Sequence, residues 1–250
     1  MTRVKLVEAG NARDDRWAQC WYAPESRRFL VPLLALPTLA GMLPRDWDIE
    51  IVDEKLRDID LNADADLVCL SFKSKDAKRA YRYADAFRAR NIPVILGGVH
   101  ATSLPDEAAE HADAVVVGEA EGIFPQVIDD FRAGRLQQLY RSPPSREIGL
   151  DSVPMPRFDL IDHRRYCLHA VQTSRGCLVG CEFCPVQKMF GGISRHKSLA
   201  RVLAEIEAVR AIDPHKDIFF VDEMFCGGDL DFQKELLREL RRRRSCVGAL

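Results

Sequence analysis

Cys177, Cys181 and Cys184 fall within eight residues in the spacing C-x3-C-x2-C, and no fourth cysteine follows at a regular interval. Thiolates ligate iron–sulfur clusters and zinc, and a closed site for either normally has four protein ligands. Three ligands in one short loop leave one coordination position open, and an open position suits a substrate or cofactor. Two plainer readings compete. The cysteines could form a partial zinc knuckle completed by His196 or His163, or they could be chance neighbours in a core. A second chemical signal lies downstream, where the apolar run 217–223 ends in two carboxylates, Asp222 and Glu223.

These residues need elements to carry them. The cysteine loop follows a strand signal at 167–173 and a Ser174-Arg175-Gly176 turn. Ser198 can cap a helix with Leu199, Val202, Leu203, Ile206 and Val209 on one face. The run 217–223 reads as a second strand. Gly227, Gly228 and Asp229 lead into a helix that turns Leu230, Leu236, Leu237 and Leu240 inward. Alternating strands and helices open a parallel α/β barrel, whose active sites lie at the carboxyl ends of its strands. The cysteine loop and the Asp222–Glu223 pair both fall there. A full eight-unit barrel takes about 250 residues, so the stretch from 163 onward reads as the first part of one, in a fragment or a sequence cut at 250. The arginines at 241–244 suit the negative end of a helix, and Cys226 and Cys246 read as core cysteines.

The first half alternates in the same way. Strands are expected at 3–8, 47–53, 66–72, 93–97 and 114–118, the third with the continuous apolar centre of a strand buried on both faces. Helices are expected at 31–43, after Ser74, from Pro105, and at 119–132. Ala77, Ala80, Tyr81, Ala84 and Phe87 give the second an apolar face. Five such units specify an α/β fold with an open, doubly wound, parallel sheet, which takes ligands beyond the carboxyl ends of its strands. Those ends are 8–10, 71–74, 97–102 and 118–121. Prolines 143, 144, 154 and 156 mark a linker. The expected organisation is a sheet domain at 1–140, a linker at 141–162 and the barrel segment at 163–250.

Composition narrows the class. The chain has 250 residues, 47% hydrophobic and 30% charged, with net charge −2. This is a globular composition with no electrostatic case for nucleic acid. Eight cysteines in a chain of this length, without a signal peptide, fit a reducing cytoplasmic setting and metal ligation. The apolar run 29–43 is shorter than the roughly 18 residues of a membrane span and contains Pro32 and Pro37.

The cysteine spacing, the aromatic Phe183 before the last cysteine and the preceding strand resemble the radical S-adenosylmethionine (SAM) family. The sequences Gly97-Gly-Val-His-Ala-Thr102 and Val117-Gly-Glu-Ala-Glu121 resemble the cobalamin-binding domain that precedes many radical SAM domains, and the run 148–159 resembles the segment between them. The resemblance implies a Rossmann-like cobalamin-binding domain, a [4Fe–4S] cluster on Cys177, Cys181 and Cys184, and SAM on the fourth iron. It places Phe183 near the adenine and Asp222 or Glu223 near the SAM amino group. It gives the corrin ring to Ser71, Phe72, Gly97, Gly98, His100, Gly118 and Glu119. The Asp-x-His-x-x-Gly loop of better-known cobalamin proteins is absent, because 10–15 holds no histidine; His100 fits a local hydrogen bond better than a cobalt bond. The implied activity is a cobalamin-dependent radical SAM methyltransferase acting on an unactivated carbon of a small molecule or natural product, with an electron donor such as flavodoxin or ferredoxin. The same domains serve oxidative cyclases and rearranging enzymes. A methylthiotransferase fits less well, since Cys20 and Cys69 are isolated. A reading from another class is a non-catalytic cobalamin- or nucleotide-binding module with a zinc loop.

Overall fold

The structure is a computed structural model that describes residues 1–10, 22–23, 28–225 and 229–243. The loop expected at 11–15, together with Cys20, Cys226, Gly227, Gly228, Arg244 and Cys246, lies outside the described residues. The chain divides into two compact units. The first takes residues 1–10 and 35–143, and the second takes 22–23, 28–34, 144–225 and 229–243.

The first unit is an all-parallel six-stranded sheet. Its strands are β1 (Arg3–Glu8), β2 (Asp48–Asp53), β3 (Leu67–Ser71), β4 (Val94–Gly97), β5 (Ala114–Val117) and β6 (Leu139–Arg141), in the order β2-β1-β3-β4-β5-β6. The sequence shows five strands; the sixth comes from three residues just ahead of the linker prolines, too few to display a period. The helices are α1 (Ala35–Met42), α2 (Ala77–Arg88), α3 (Val99–Ser103), α4 (Pro105–Glu110) and α5 (Phe124–Arg132). The helix expected at 119–132 is split, with a 3-10 turn at Ala120–Gly122 before α5.

Alternation within each strand sends neighbouring side chains to opposite faces. Val7, Val68, Leu70, Val94, Leu96 and Val115 form one core with Ala80, Ala84 and Phe87 of α2. Phe87 is fully buried, and burying such a ring contributes about 1.5–3 kcal/mol. On the opposite face α1 packs against β1 and β2. The chain runs from β1 outward to β2 and then returns to β3 on the other side of β1. The strand order therefore reverses between β1 and β3, the crevice where open α/β sheets take ligands.

The second unit pairs β7 (His169–Val171) in parallel with β10 (Ile218–Phe220), and β8 (Ser174–Arg175) antiparallel with β9 (Arg195–His196). Its helices are α6 (Val186–Phe190), α7 (Leu199–Ile212) and α8 (Leu230–Arg242). Ser198 caps α7, its side chain accepting from Arg201 N, and Asp229 caps α8 by accepting from Asp231 N and Phe232 N. Val171, Val202, Ile206, Val209, Ile218, Leu236 and Leu240 make the core. The inward face of α8 is narrower than expected. Leu230 and Leu237 are 56% and 49% exposed, while Gln233 is buried and donates to Phe225 O. Among the described residues no helix is long and apolar enough to cross a membrane.

Two buried histidines sit at the foot of β7. His163 Nε2 donates to Phe158 O at 2.8 Å and His169 Nε2 donates to Asp213 O at 2.8 Å. A carbonyl only accepts, so both rings carry their proton on Nε2. Both Nδ1 atoms are buried without a hydrogen-bond partner, and the rings meet edge to face at 5.2 Å. Burial holds both pKa values below the ordinary 6.5. The folded state therefore resists protonation that the unfolded chain accepts. The stability due to the neutral pair is complete above pH 6.5 and is lost as pH falls below it. The thermal midpoint is expected to fall between pH 7 and 5.5, and to fall less in His169→Gln, as read by circular dichroism. An equal pH dependence in the two proteins would contradict this account.

Candidate functional site

The cysteine loop is built on the end of β8. Gly176 turns the chain with φ of 95°, a conformation favouring glycine. A Cβ there would lie 2.1 Å from Ile193 O, so a side chain is excluded by contact as well as by backbone. The carboxylates after β10 fasten the turn from the other side. Asp222 Oδ1 accepts from Thr173 N at 2.7 Å and Ser174 N at 3.0 Å, and Asp222 Oδ2 accepts from Thr173 Oγ1. Glu223 Oε2 accepts from Gly176 N at 3.0 Å. Gln187 on α6 reaches across the loop, donating from Nε2 to Val179 O at 2.7 Å and Cys177 O at 3.3 Å.

Cys177, Cys181 and Cys184 are free thiols, each partly exposed. Val179 N donates to Cys177 Sγ at 3.4 Å, and Cys184 N donates to Cys181 O at 3.1 Å, folding the last two cysteines into one turn. Among the described residues no three of His, Cys, Asp and Glu are gathered into a metal-sized group, so the thiols are not drawn together in this conformation. Neither histidine of the zinc reading joins them. His163 lies on Phe158 O, and His196 accepts from Asp229 N at 3.3 Å and packs on Phe232. The donor set still fits an iron–sulfur cluster in kind, with three partly exposed thiols on one short loop and an N–H···S bond of the sort that tunes such clusters. Phe183 is 91% exposed, and Leu178 and Val179 are exposed beside it, leaving an apolar lip on the loop.

In the first unit the expected ligand-side residues cluster at the carboxyl ends of β3, β4 and β5. Gly98 has φ of 92°, and a Cβ on it would lie 3.0 Å from Ser71 Oγ and 3.1 Å from Phe72 N and O. The loop after β4 therefore lies directly on the end of β3. Gly118 has φ of 90° and donates to Thr102 Oγ1 at 3.1 Å. A Cβ on Gly97 would make only ordinary contact, 3.9 Å from Val116 O. Phe72 is 1% exposed and its ring sits against Tyr81 and His100, so only its backbone faces the ligand end. His100 is buried, with Nδ1 at 3.1 Å from Ser74 Oγ and Nε2 at 3.4 Å from Glu107 Oε1. Glu119 is buried.

Glu54 was not singled out from the sequence, and Glu8 figured there only as a strand end. Glu54 is buried and binds Gly10 N at 2.8 Å, Arg79 Nη1 at 3.0 Å and the Tyr83 hydroxyl, fixing the chain after β1. Its partners are scattered through the sequence and leave no local signal. Glu8, the last residue of β1, is paired in register with Ser71 on one side and Asp53 on the other. Burial, and then the Asp53 charge, push its carboxyl up to about 7. The strand-end rule points to Glu8, but its burial is a tertiary fact.

Residues 25–128 match the B12 binding domain family. An uncharacterized methyltransferase of Synechocystis is 31% identical over 218 residues, covering 86% of this chain and 40% of that protein. The bacteriochlorophyllide d C-8(2)-methyltransferase of Chlorobaculum tepidum is 34% identical over 171 residues, covering 63% of this chain and 36% of that protein. The chain thus spans well under half the length of these relatives. The radical SAM methyltransferase TsrM of Kitasatospora setae, solved with cobalamin and a [4Fe–4S] cluster bound, aligns over 98% of this chain and 53% of its own, with a TM-score of 0.69. At 21% identity that likeness concerns the fold alone.

Proposed function

We propose that the chain belongs to the cobalamin-binding radical SAM family and serves a cobalamin-dependent methyltransferase acting on an unactivated carbon of a small molecule. The observation that carries the reading is the turn of three free thiols, pinned at its root by two consecutive carboxylates. A [4Fe–4S] cluster held at that turn would supply the electron for SAM cleavage, and cobalamin held at the sheet would supply the methyl group.

The chain's own residues hold and orient these groups. Cys177, Cys181 and Cys184 would ligate three irons and leave the fourth to SAM. Phe183, exposed on the lip, offers a flat apolar surface to the adenine. Asp222 spends three acceptor positions on the backbone and side chain at 173–174, so its main part is to position the loop. Glu223 spends one oxygen on Gly176 N, and its other oxygen suits the SAM amino group. At the sheet, Ser71, Gly97, Gly98, Gly118, Glu119 and the Phe72 backbone would underlie the corrin, with His100 positioning the loop after β4 through Ser74. A flavodoxin- or ferredoxin-like protein would deliver the electron.

Anaerobic reconstitution with iron and sulfide tests the reading. The expected product is brown, with a broad absorbance near ~400 nm, and it retains a cobalt-containing corrinoid through desalting. Stoichiometric zinc without a cluster would move the chain to the zinc-module reading.

A further inference from the structure

The loops beyond β3, β4 and β5 are joined in series by hydrogen bonds, and the last join is made by a side chain. His100 N donates to Phe72 O at 3.4 Å, linking the loop after β4 to the end of β3. Thr102 N donates to Gly98 O at 3.0 Å, so α3 closes back on the Gly98 turn. Gly118 N, just beyond β5, then donates to Thr102 Oγ1 at 3.1 Å. Resting on the cobalamin reading, we infer that Thr102 is a positioning residue of the corrinoid site: its hydroxyl latches the loop after β5 to the loop after β4, and the corrinoid binds the latched arrangement.

Two observations single out this hydroxyl. A serine or threonine within a helix often turns its hydroxyl back to the carbonyl four residues earlier. Ser103 does so, its Oγ donating to Val99 O at 2.8 Å. Thr102, in the same turn of α3, instead offers its oxygen to an amide on another loop. The second observation is where that bond falls. The β4–β5 register pairs Ile95 with Ala114 and Leu96 with Val115. Past that ladder, Thr102 Oγ1 carries the connection on to Gly118. On its β6 side the same turn is held by Ser142 N, which donates to Val117 O at 2.9 Å. Gly118 has φ of 90°, and a Cβ on it would lie 3.1 Å from Ser142 Cβ. The turn is thus gripped from both neighbouring strands, and the grip on the β4 side is one hydroxyl. Without it the loop after β5 leaves the latched arrangement for part of the time, and apparent affinity falls by the fraction that remains competent.

The test is isothermal titration calorimetry of the full chain with methylcobalamin, joined to amide hydrogen exchange on the free chain. Thr102→Val keeps the branched shape and removes the oxygen. Its dissociation constant is expected to rise about tenfold, as for one unmade hydrogen bond to a part-buried amide. Exchange over 114–121 is expected to quicken in the same variant. Thr102→Ser keeps the oxygen and drops the methyl, and is expected to match the wild type in both measurements. Thr102→Ala lacks the oxygen without setting a methyl against the Gly118 amide, and is expected to follow Thr102→Val. Ser103→Ala removes the neighbouring hydroxyl and should change neither readout. Wild-type affinity and exchange in Thr102→Val and Thr102→Ala, or a Thr102→Ser as weak as Thr102→Val, overturns the inference. Failure of the wild type to bind methylcobalamin would instead remove the cobalamin reading beneath it, and exchange on the free chain would still decide whether the latch exists.

Discussion

Iron bound after anaerobic reconstitution is expected to fall from about four atoms per chain to a small residue when Cys181 is replaced by alanine. Cys181 is the middle ligand of the three, and its carbonyl also accepts from Cys184 N. With only two thiolates remaining on the loop, a cubane cluster loses the protein ligand of one more iron. The effect should appear in iron and sulfide content and in the absorbance near ~400 nm, before any turnover is assayed. Cys69→Ala is the matching control. Cys69 is buried in β3, and burial pushes its thiol up to about 12, so it supplies no thiolate at neutral pH. Iron content should be unchanged in that variant. Equal losses in the two variants, with fold retained, would mean that the three-cysteine turn is not the iron site.

The second large effect is expected from a residue that binds nothing. Gly176→Ala leaves every cysteine in place, yet the new Cβ would sit 2.1 Å from Ile193 O on a backbone with φ of 95°. The positive φ alone costs about 1–3 kcal/mol in a residue with a side chain, and the contact forces the turn or the 193 segment to move. Moving the turn breaks the bond from Gly176 N to Glu223 and shifts Cys177 with it. Iron content should therefore drop sharply although all ligands remain. Gly180→Ala, within the same loop, places its Cβ in open space and should reconstitute normally. If the two glycine variants behave alike, the geometry of the turn is not what readies the cysteines.

These two experiments divide what was legible in the sequence from what was not. The cysteines were legible because ligand spacing is local, and the five core strands because apolar periodicity is local. Ser198 could be recognised as a helix cap for the same reason. The part of Asp222 was not, because its partners Thr173 and Ser174 are nearly fifty positions away in the chain. A carboxylate after a strand reads equally as a ligand for a small molecule or as an anchor for a neighbouring backbone. Leu237 reads inward on a helical wheel, yet it is exposed while the polar Gln233 is buried, because Gln233 finds a carbonyl at Phe225. The sixth strand escaped notice because a three-residue edge held by neighbours has no pattern of its own.

The anchoring of 173–174 by Asp222 also bears on how portable the motif is. A synthetic peptide copying 168–200 would carry the three candidate ligand cysteines and the Gly176 residue, but it would lack the acceptors for Thr173, Ser174 and Gly176. Transplanting the loop into another scaffold thus requires transplanting the adjacent parallel strand and its acidic tip as well. The smallest unit that can be moved is a pair of strands, not a string of cysteines.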